Sequence, residues 1–342
     1  MLRKASLSLG YANAGKIVVL DTLVEEMTRV VRLYIDELWE RQDFRSTFVD
    51  FKVDTWLSAR LQQCLGKQAL ETVKSQRKRK KRTKPYFKGA AFNLDSRFVD
   101  FQYGNNSFDI WVRLSSLGRR LQLRLPAKAH AHYNKYRDWS KSKSVRLLKR
   151  RGTYFLEVFF EKQAPDVKPV GVTVGVDCGY KQLLVSSDAR VYDVGLEQCY
   201  EKIARKIQGS KAFKRALIER DNLINCSLNA MPLGEVREVV CENLKNLKKE
   251  TRGRLNKKFV NKLQRWSYAK VLTKLQYMTE EAGVLLTRVN PAYTSQRCCY
   301  CGVLCGANRR GKSYACACGN EMDADVNAAI NLSHMGVYSP HA

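Results

Sequence analysis

The 342-residue chain has no uninterrupted apolar run of about 18 residues, the length a membrane-spanning helix needs. No membrane partner is therefore expected. Its first residues, MLRKASLSLGYANAGKIVVLD, carry basic side chains but no long apolar core. They read as the start of a strand, not as a secretory leader. Acidic residues are scarce: 33 Asp and Glu face 61 Lys and Arg, for a formal charge of +28. Charge of that size repels itself unless a polyanion neutralises it, so nucleic acid is the expected partner and a small-molecule substrate is not. The eleven cysteines are odd in number and mostly clustered. That excludes a secreted disulfide framework and fits a reducing, cytoplasmic compartment and a metal site. No internal repeat is evident. What is abundant is apolar side chain, 44% of the chain, enough for real cores, and the length predicts two or three domains.

The run KIVVL (16–20) reads as a short strand. DTLVEEMTRVVRLYIDELWERQ then reads as a helix, with Thr22 and Glu25 as a capping box and Leu23, Met27, Val30, Tyr34 and Leu38 as one apolar stripe. A second helical stretch covers about 53–73 and ends in KSQRKRKKRTK (74–84), the densest positive run. Phosphate contact is the favoured reading of that run, over a solvated helix end, because each phosphate neutralised releases counterions and adds affinity. After Pro85 the period falls to two. FNLDSRFVDFQYGNNSFDIWVRLSS predicts a hairpin with a GNN turn, RRLQLRLP continues it, and SVRLLKRRGTYFLEVFFEKQ predicts a second hairpin turning at Arg151-Gly152. Residues 85–165 thus predict a small sheet or β-barrel, which residues 1–20 join, making 21–84 a helical insertion. APDVKPV (164–170) reads as a linker.

The second half changes character. VGVTVGVDCGYKQLLVSSDARVYDVG predicts three consecutive strands, followed by a charged helical stretch (197–226), a strand in EVREVVCENL, a long helix (256–282) and a fifth strand in GVLLTRVNP. This is the element order of an RNase H-like nuclease core, whose chemistry gathers three or four carboxylates around two divalent cations. Hard Mg²⁺ favours such oxygen donors. Asp177 interrupts a Val-rich strand, where an ionised side chain is costly unless paired or metal-bound. Glu242 ends the apolar strand VREVVCE, and Asp325 opens the helical segment DADVNAAINL. Taken singly, Asp325 could be an ordinary N-cap and Glu242 an exposed strand end; Asp323 competes with Asp325, and spacing alone does not decide between them. Asp188 and Asp193 read as turn residues.

Six cysteines lie in CCYCGVLCGANRRGKSYACACGN. Cys298 and Cys301 form C-x2-C and Cys316 and Cys318 form C-x-C, each followed by glycine. Two close thiolate pairs predict one tetrahedral, structural Zn²⁺, which would supply the folding energy of a loop this short. The second pair lacks the usual intervening residue, so Cys299 or Cys305 could substitute. No histidine or acid completes an open site, so a catalytic zinc is not expected. Arg297, Arg309, Arg310 and Lys312, interleaved with Tyr293, Tyr300 and Tyr314, make a candidate nucleic-acid face, although the tyrosines could equally pack on the core.

VGVDCGY, CENL, RWSYAKVLTKLQYMTEEAGVLLTRVNPAYTSQRCCYCG and CGNEMDADVNAAINL together resemble the TnpB (OrfB) proteins of insertion sequences and the compact type V CRISPR effectors. The resemblance covers about residues 170–335; the N-terminal half matches only in general plan. It implies a multidomain α/β and β fold. Residues 1–20 and 85–165 would form a wedge β-barrel and 21–84 a helical recognition insertion. Residues 170–292 and 322–338 would form a RuvC-like nuclease, and 293–321 a zinc ribbon. It implies Asp177, Glu242 and Asp325 as catalytic residues holding two Mg²⁺, with Asp325 at the acid of the D-x-N-x-A pattern. It also implies guide RNA and target DNA as partners, DNA cleavage beside a short flanking motif, and a prokaryotic or phage origin with nucleoid association. Two departures stand: the shortened cysteine pair and a compact segment between Tyr200 and Glu242. A guided DNA-binding repressor would lack one of the acids, and none is missing here. An unguided RuvC-like resolvase or transposase would act without RNA.

Overall fold

A computed structural model describes residues 1–41, 48–79, 83–104, 107–116, 121–180, 182–193, 195–244 and 267–338. Two units, Met1–Gln163 and Ala164–Ala342, each carry their own core.

In the first unit, alternating burial over LRKASLS makes β1 (Leu2–Ser8). The KIVVL run is not a strand but part of α1 (Ala14–Arg41). Four apolar residues in a row define no period. The continued spacing of Leu20, Leu23, Met27, Val30, Val31 and Tyr34 decides for helix and leaves Val18 and Val19 exposed. Asn13 caps it, its Oδ1 accepting from Lys16 N at 3.0 Å. The expected Thr22–Glu25 capping box is therefore absent; Thr22 lies inside the helix, its hydroxyl donating to Val18 O at 3.1 Å. The second helix, α2 (Ala59–Arg77), starts later than expected, capped by Ser58, and packs on α1. Of the basic run at 74–84, residues 80–82 lie outside the described residues.

Next come β2 (Ala91–Asp95), β3 (Val99–Tyr103), β4 (Ile110–Ser115), β5 (Gln122–Ala127), a single helical turn α3 (Ala131–Asn134), β6 (Ser140–Arg150) and β7 (Thr153–Glu161). The hairpin of β6 and β7 turns at Arg151 and Gly152, both with positive φ, as its sequence predicted. The expected barrel is not closed. Among the described residues these strands form two open sheets, ordered β1-β7-β6-β2 and β3-β4-β5. Alternation identifies strands that bury one face, but it does not say whether the outer strands meet.

The second unit is built on β8 (Val172–Asp177), β9 (Leu184–Ser186) and β10 (Val191–Tyr192). The expected single helical stretch is two helices, α4 (Leu196–Ala204) and α5 (Lys211–Asn229), followed by β11 (Val236–Glu242). Then come α6 (Tyr268–Ala282) and β12 (Leu285–Val289). The expected earlier start of α6, at 256–266, lies outside the described residues. The sheet order is β10-β9-β8-β11-β12, with β8 central and β11 lying between β8 and β12, parallel to both. Val176, Val239 and Cys241 face a core shared with α4, α5 and α6. Beyond β12 a small sheet of β13 (Arg309–Arg310), β14 (Ser313–Ala315) and β15 (Glu321–Asp323) leads into α7 (Ala324–Ser333).

Helix α7 lies on the opposite face of the sheet and fits only because β8 carries a glycine there. A Cβ on Gly175 would sit 1.9 Å from Ala329 O and 2.4 Å from Ser333 N. Both obstacles are backbone, so no side chain can move aside. Gly175→Ala is expected to lift the helix from the sheet and cost about 3 kcal/mol, the upper end of core overpacking, read as a lowered urea midpoint of the second unit.

Candidate active site and cysteine cluster

Strands β8 and β11 run parallel, with Val176 opposite Cys241. Their last residues, Asp177 and Glu242, therefore emerge together at the carboxyl end of these parallel strands, the end where ligands gather in α/β sheets. Asp325, on the first turn of α7, brings a third carboxylate toward Asp177. Asp323 is otherwise engaged. Its Oδ1 accepts from Asp325 N at 2.8 Å and Val326 N at 3.2 Å, so it is the N-cap. Asp188 and Asp193 stand in turns: Asp188 pairs with Arg190 at 3.2 Å, and Asp193 accepts from Leu196 N at 3.1 Å.

Burial, reinforced by the charges of Glu242 and Asp325, pushes the Asp177 carboxyl up to about 7; Arg309 opposes the rise. Burial also raises Glu242, against the hydroxyl of Thr294, which donates to its Oε1, and against Arg309. The Tyr268 hydroxyl donates to Glu242 O and fixes the strand end. Arg309 Nη2 donates to Asp325 Oδ1 at 2.8 Å. Of the candidate nucleic-acid face, Arg309 pairs with this acid and is half-buried, while Arg310 beside it is exposed. Thr294, Tyr268 and the acid-facing role of Arg309 were missed, since nothing in their local spacing marks them. Three acids against one guanidinium leave a deficit of positive charge, and an all-oxygen donor set suits Mg²⁺.

The four predicted cysteines converge. Sγ atoms of Cys298 and Cys318 are 3.7 Å apart, those of Cys301 and Cys316 3.6 Å, and all four lie within 4.8 Å of one another. Such a cluster is zinc-ribbon-like and could hold a zinc ion. Among the described residues it is the one group of three or more Cys, His, Asp or Glu drawn this close. The shortened pair is accommodated by a tighter turn. Gly302 N reaches back to Cys298 O at 3.0 Å, four residues away, whereas Gly319 N reaches Cys316 O at 2.9 Å, only three away. Cys299 and Cys305 stay outside the cluster, Cys299 lying 3.8 Å from the Met322 sulfur. Burial pushes the Cys298 thiol up, but hydrogen bonds from the Cys301 and Tyr300 backbone and from Asn320 outweigh it and bring it down to about 6. Tyr314 is fully buried, a core residue of the ribbon, whereas Tyr293 and Tyr300 are exposed.

Two buried asparagines tie this cluster to α7. Asn327 Nδ2 donates to Arg297 O at 2.8 Å, and its Oδ1 accepts from Cys299 N at 3.0 Å. Asn331 Nδ2 donates to Arg297 O at 2.7 Å and Thr294 O at 2.9 Å. Two buried polar residues four apart on a helix of alanines were the available signal, and it went unread.

The hydrophobic core of the ribbon is small, formed by Cys298, Tyr314 and Ala324. With so small a core, Cys316→Ser and Cys318→Ser are each expected to drop bound zinc from about one to below about 0.2 per chain, measured by elemental mass spectrometry. For Asp177 the folded state favours the proton. Its stabilising contribution is therefore full below pH 3.8 and lost as pH rises through about 7, a difference on the order of 4 kcal/mol. In Mg²⁺-free buffer Asp177→Asn should raise the melting temperature at pH 8 by about 5 °C or more and change it little at pH 4, checked by thermal melts across pH.

Residues 268–332 match the family model described as Cas12f1-like, TNB domain. The CRISPR-associated endodeoxyribonuclease Cas12f1 of Sulfoacidibacillus thermotolerans is 45% identical over 73 residues, 21% of this chain and 17% of that protein. A TnpB-like protein of Methanocaldococcus jannaschii is 30% identical over 95 residues, 28% of this chain and 34% of the relative. The chain thus spans less than two thirds of either relative's length. A solved Cas12f1–sgRNA–target DNA complex shares the fold with a TM-score of 0.57 at 16% identity, over 92% of this chain and 82% of that one. The chain is thus similar to TnpB-like proteins and to Cas12f1, and residues 268–332 carry the Cas12f1-like TNB segment.

Proposed function

We propose that this protein is an RNA-guided DNA endonuclease that cuts DNA phosphodiesters beside a short flanking motif, using two metal ions. The observation that carries this reading is the convergence of Asp177, Glu242 and Asp325 at the carboxyl end of β8 and β11, under a net deficit of positive charge. Three facts support it: the +28 charge, the names of the matched relatives, and the likeness to a complex holding guide RNA and target DNA. Residues 170–292 and 322–338 are assigned to a RuvC-like nuclease and 293–321 to a zinc ribbon. In the first unit, the two sheets are assigned to a wedge and 21–84 to a recognition segment. The basic surfaces, including 74–84, would hold guide RNA and heteroduplex by backbone and shape.

Asp177, Glu242 and Asp325 would hold the Mg²⁺ ions. When bound, the ions supply an activated water and stabilise the leaving oxygen. The chain's own residues prepare that site. Thr294 fixes the Glu242 carboxylate, and Asp323 holds the first turn of α7 so that Asp325 faces the carboxyl end of the strands. Arg309 offsets the acids at rest, and its guanidinium, once released from Asp325, is matched to a phosphate. The products would carry 5′-phosphate and 3′-hydroxyl ends.

Purification should yield a copurifying RNA. DNA matching that RNA should be cleaved with Mg²⁺, and Asp177→Ala should lower the rate by at least about 10³-fold in a radiolabelled cleavage assay. Absence of RNA, or cleavage indifferent to the substitution, sinks this reading.

A further inference from the structure

One buried acid takes no part in the proposed chemistry. Glu238 is on β11, an interior strand between β8 and β12, and is fully buried. Four residues before Glu242, it projects from the same face, about 13 Å along the strand. Its Oε1 accepts from the hydroxyl of Thr287 on β12 and from Val337 N at 2.9 Å. Its Oε2 accepts from the hydroxyl of Thr173 on β8 at 3.3 Å and from Tyr338 N at 2.9 Å. All four donors are uncharged. A buried carboxylate is costly unless fully hydrogen-bonded, and two of its four bonds come from backbone just beyond α7.

The tail is seated tightly at that point. A Cβ on Gly336 would lie 2.6 Å from Glu238 Oε2 and 2.7 Å from Thr173 Cγ2. From the neighbouring position, the Arg237 guanidinium stacks 3.5 Å from the centre of the Tyr338 ring. The chain therefore runs along one sheet face in order: Asp325 beside Asp177, Ala329 and Ser333 over Gly175, and residues 336–338 over Glu238. Asn327 and Asn331 tie the helix to the ribbon, and Glu238 restrains its other end.

We infer that Glu238 is a positioning residue for Asp325, acting through the tail bonds that fix where α7 lies on the sheet. The inference rests on the reading of Asp177, Glu242 and Asp325 as the active site. Metal-binding carboxylates must be held within about 0.5 Å of their productive place, and a helix pinned at one end only would pivot on its contact with Gly175. Glu238→Gln keeps the size but puts an NH₂ group against a backbone N–H, so one tail bond is lost.

The test compares the full chain, Glu238→Gln and a chain ended after Met335, each as its RNA complex. Three measurements are made: amide hydrogen exchange, target-DNA binding, and cleavage rate against Mg²⁺ concentration. Both variants should speed exchange in 324–333 by about tenfold while β8 and β11 stay protected. Target binding should hold within about twofold, and the Mg²⁺ needed for half-maximal rate should rise at least about fivefold. Combining the two changes should add nothing further. Unaltered exchange in 324–333, acceleration shared equally by β8 and β11, or an unchanged Mg²⁺ requirement overturns the inference. If the unaltered chain does not cleave at all, the endonuclease reading fails instead, and the exchange data alone then decide whether Glu238 holds the helix.

Discussion

Burial of acidic groups, reinforced at Asp177 by like charge, is the constraint on which the second unit depends. Asp177, Glu242 and Asp325 are brought together where burial already disfavours ionisation, and the Asp177 proton is held to about pH 7 as a result. No local interaction draws three carboxylates into such a place. The surrounding architecture has to over-determine each of them. Parallel pairing of β8 and β11 brings the first two to the same end, and their apolar neighbours on the other face lock the strands into the core. The third arrives on a separate helix, whose approach requires bare backbone at Gly175.

That third acid is the most heavily supported. Asp323 caps its helix, Arg309 compensates its charge, two asparagines fasten the helix flank, and the buried Glu238 receives the chain beyond it. Each contact uses a polar group that would be costly to bury alone. The site is therefore the product of a connected polar network, not of three side chains.

Legibility in the sequence followed the range of the forces involved. Asp177 and Glu242 stood out because an acid breaks an apolar strand pattern, and both lie at strand ends. The hairpin at Arg151-Gly152 was legible because its turn chemistry is local. KIVVL was misread because a short apolar run suits strand and helix alike, and only the following three turns decide. Barrel closure depends on pairing between distant strand edges, and the strands form two open sheets instead. Asp323 and Asp325 could not be ranked from spacing, since two acids near a helix start look alike until the capping hydrogen bonds are seen. Glu238 carries no local signal, because its four partners lie 49 to 100 residues away in sequence.

The asparagine fork of Asn327 and Asn331 has one more implication, for the order in which the molecule matures. Its acceptors, Arg297 O and Thr294 O, and its donor, Cys299 N, belong to the segment leading into the first cysteine knuckle. That segment has almost no core of its own. A chain without zinc would still assemble the strands bearing Asp177 and Glu242, yet lack a fixed dock for the helix bearing Asp325. Closure of the cysteine cluster would then come before placement of the third acid. A newly made chain would hold two of its three acids on the strands and gain the third only when the helix had its dock.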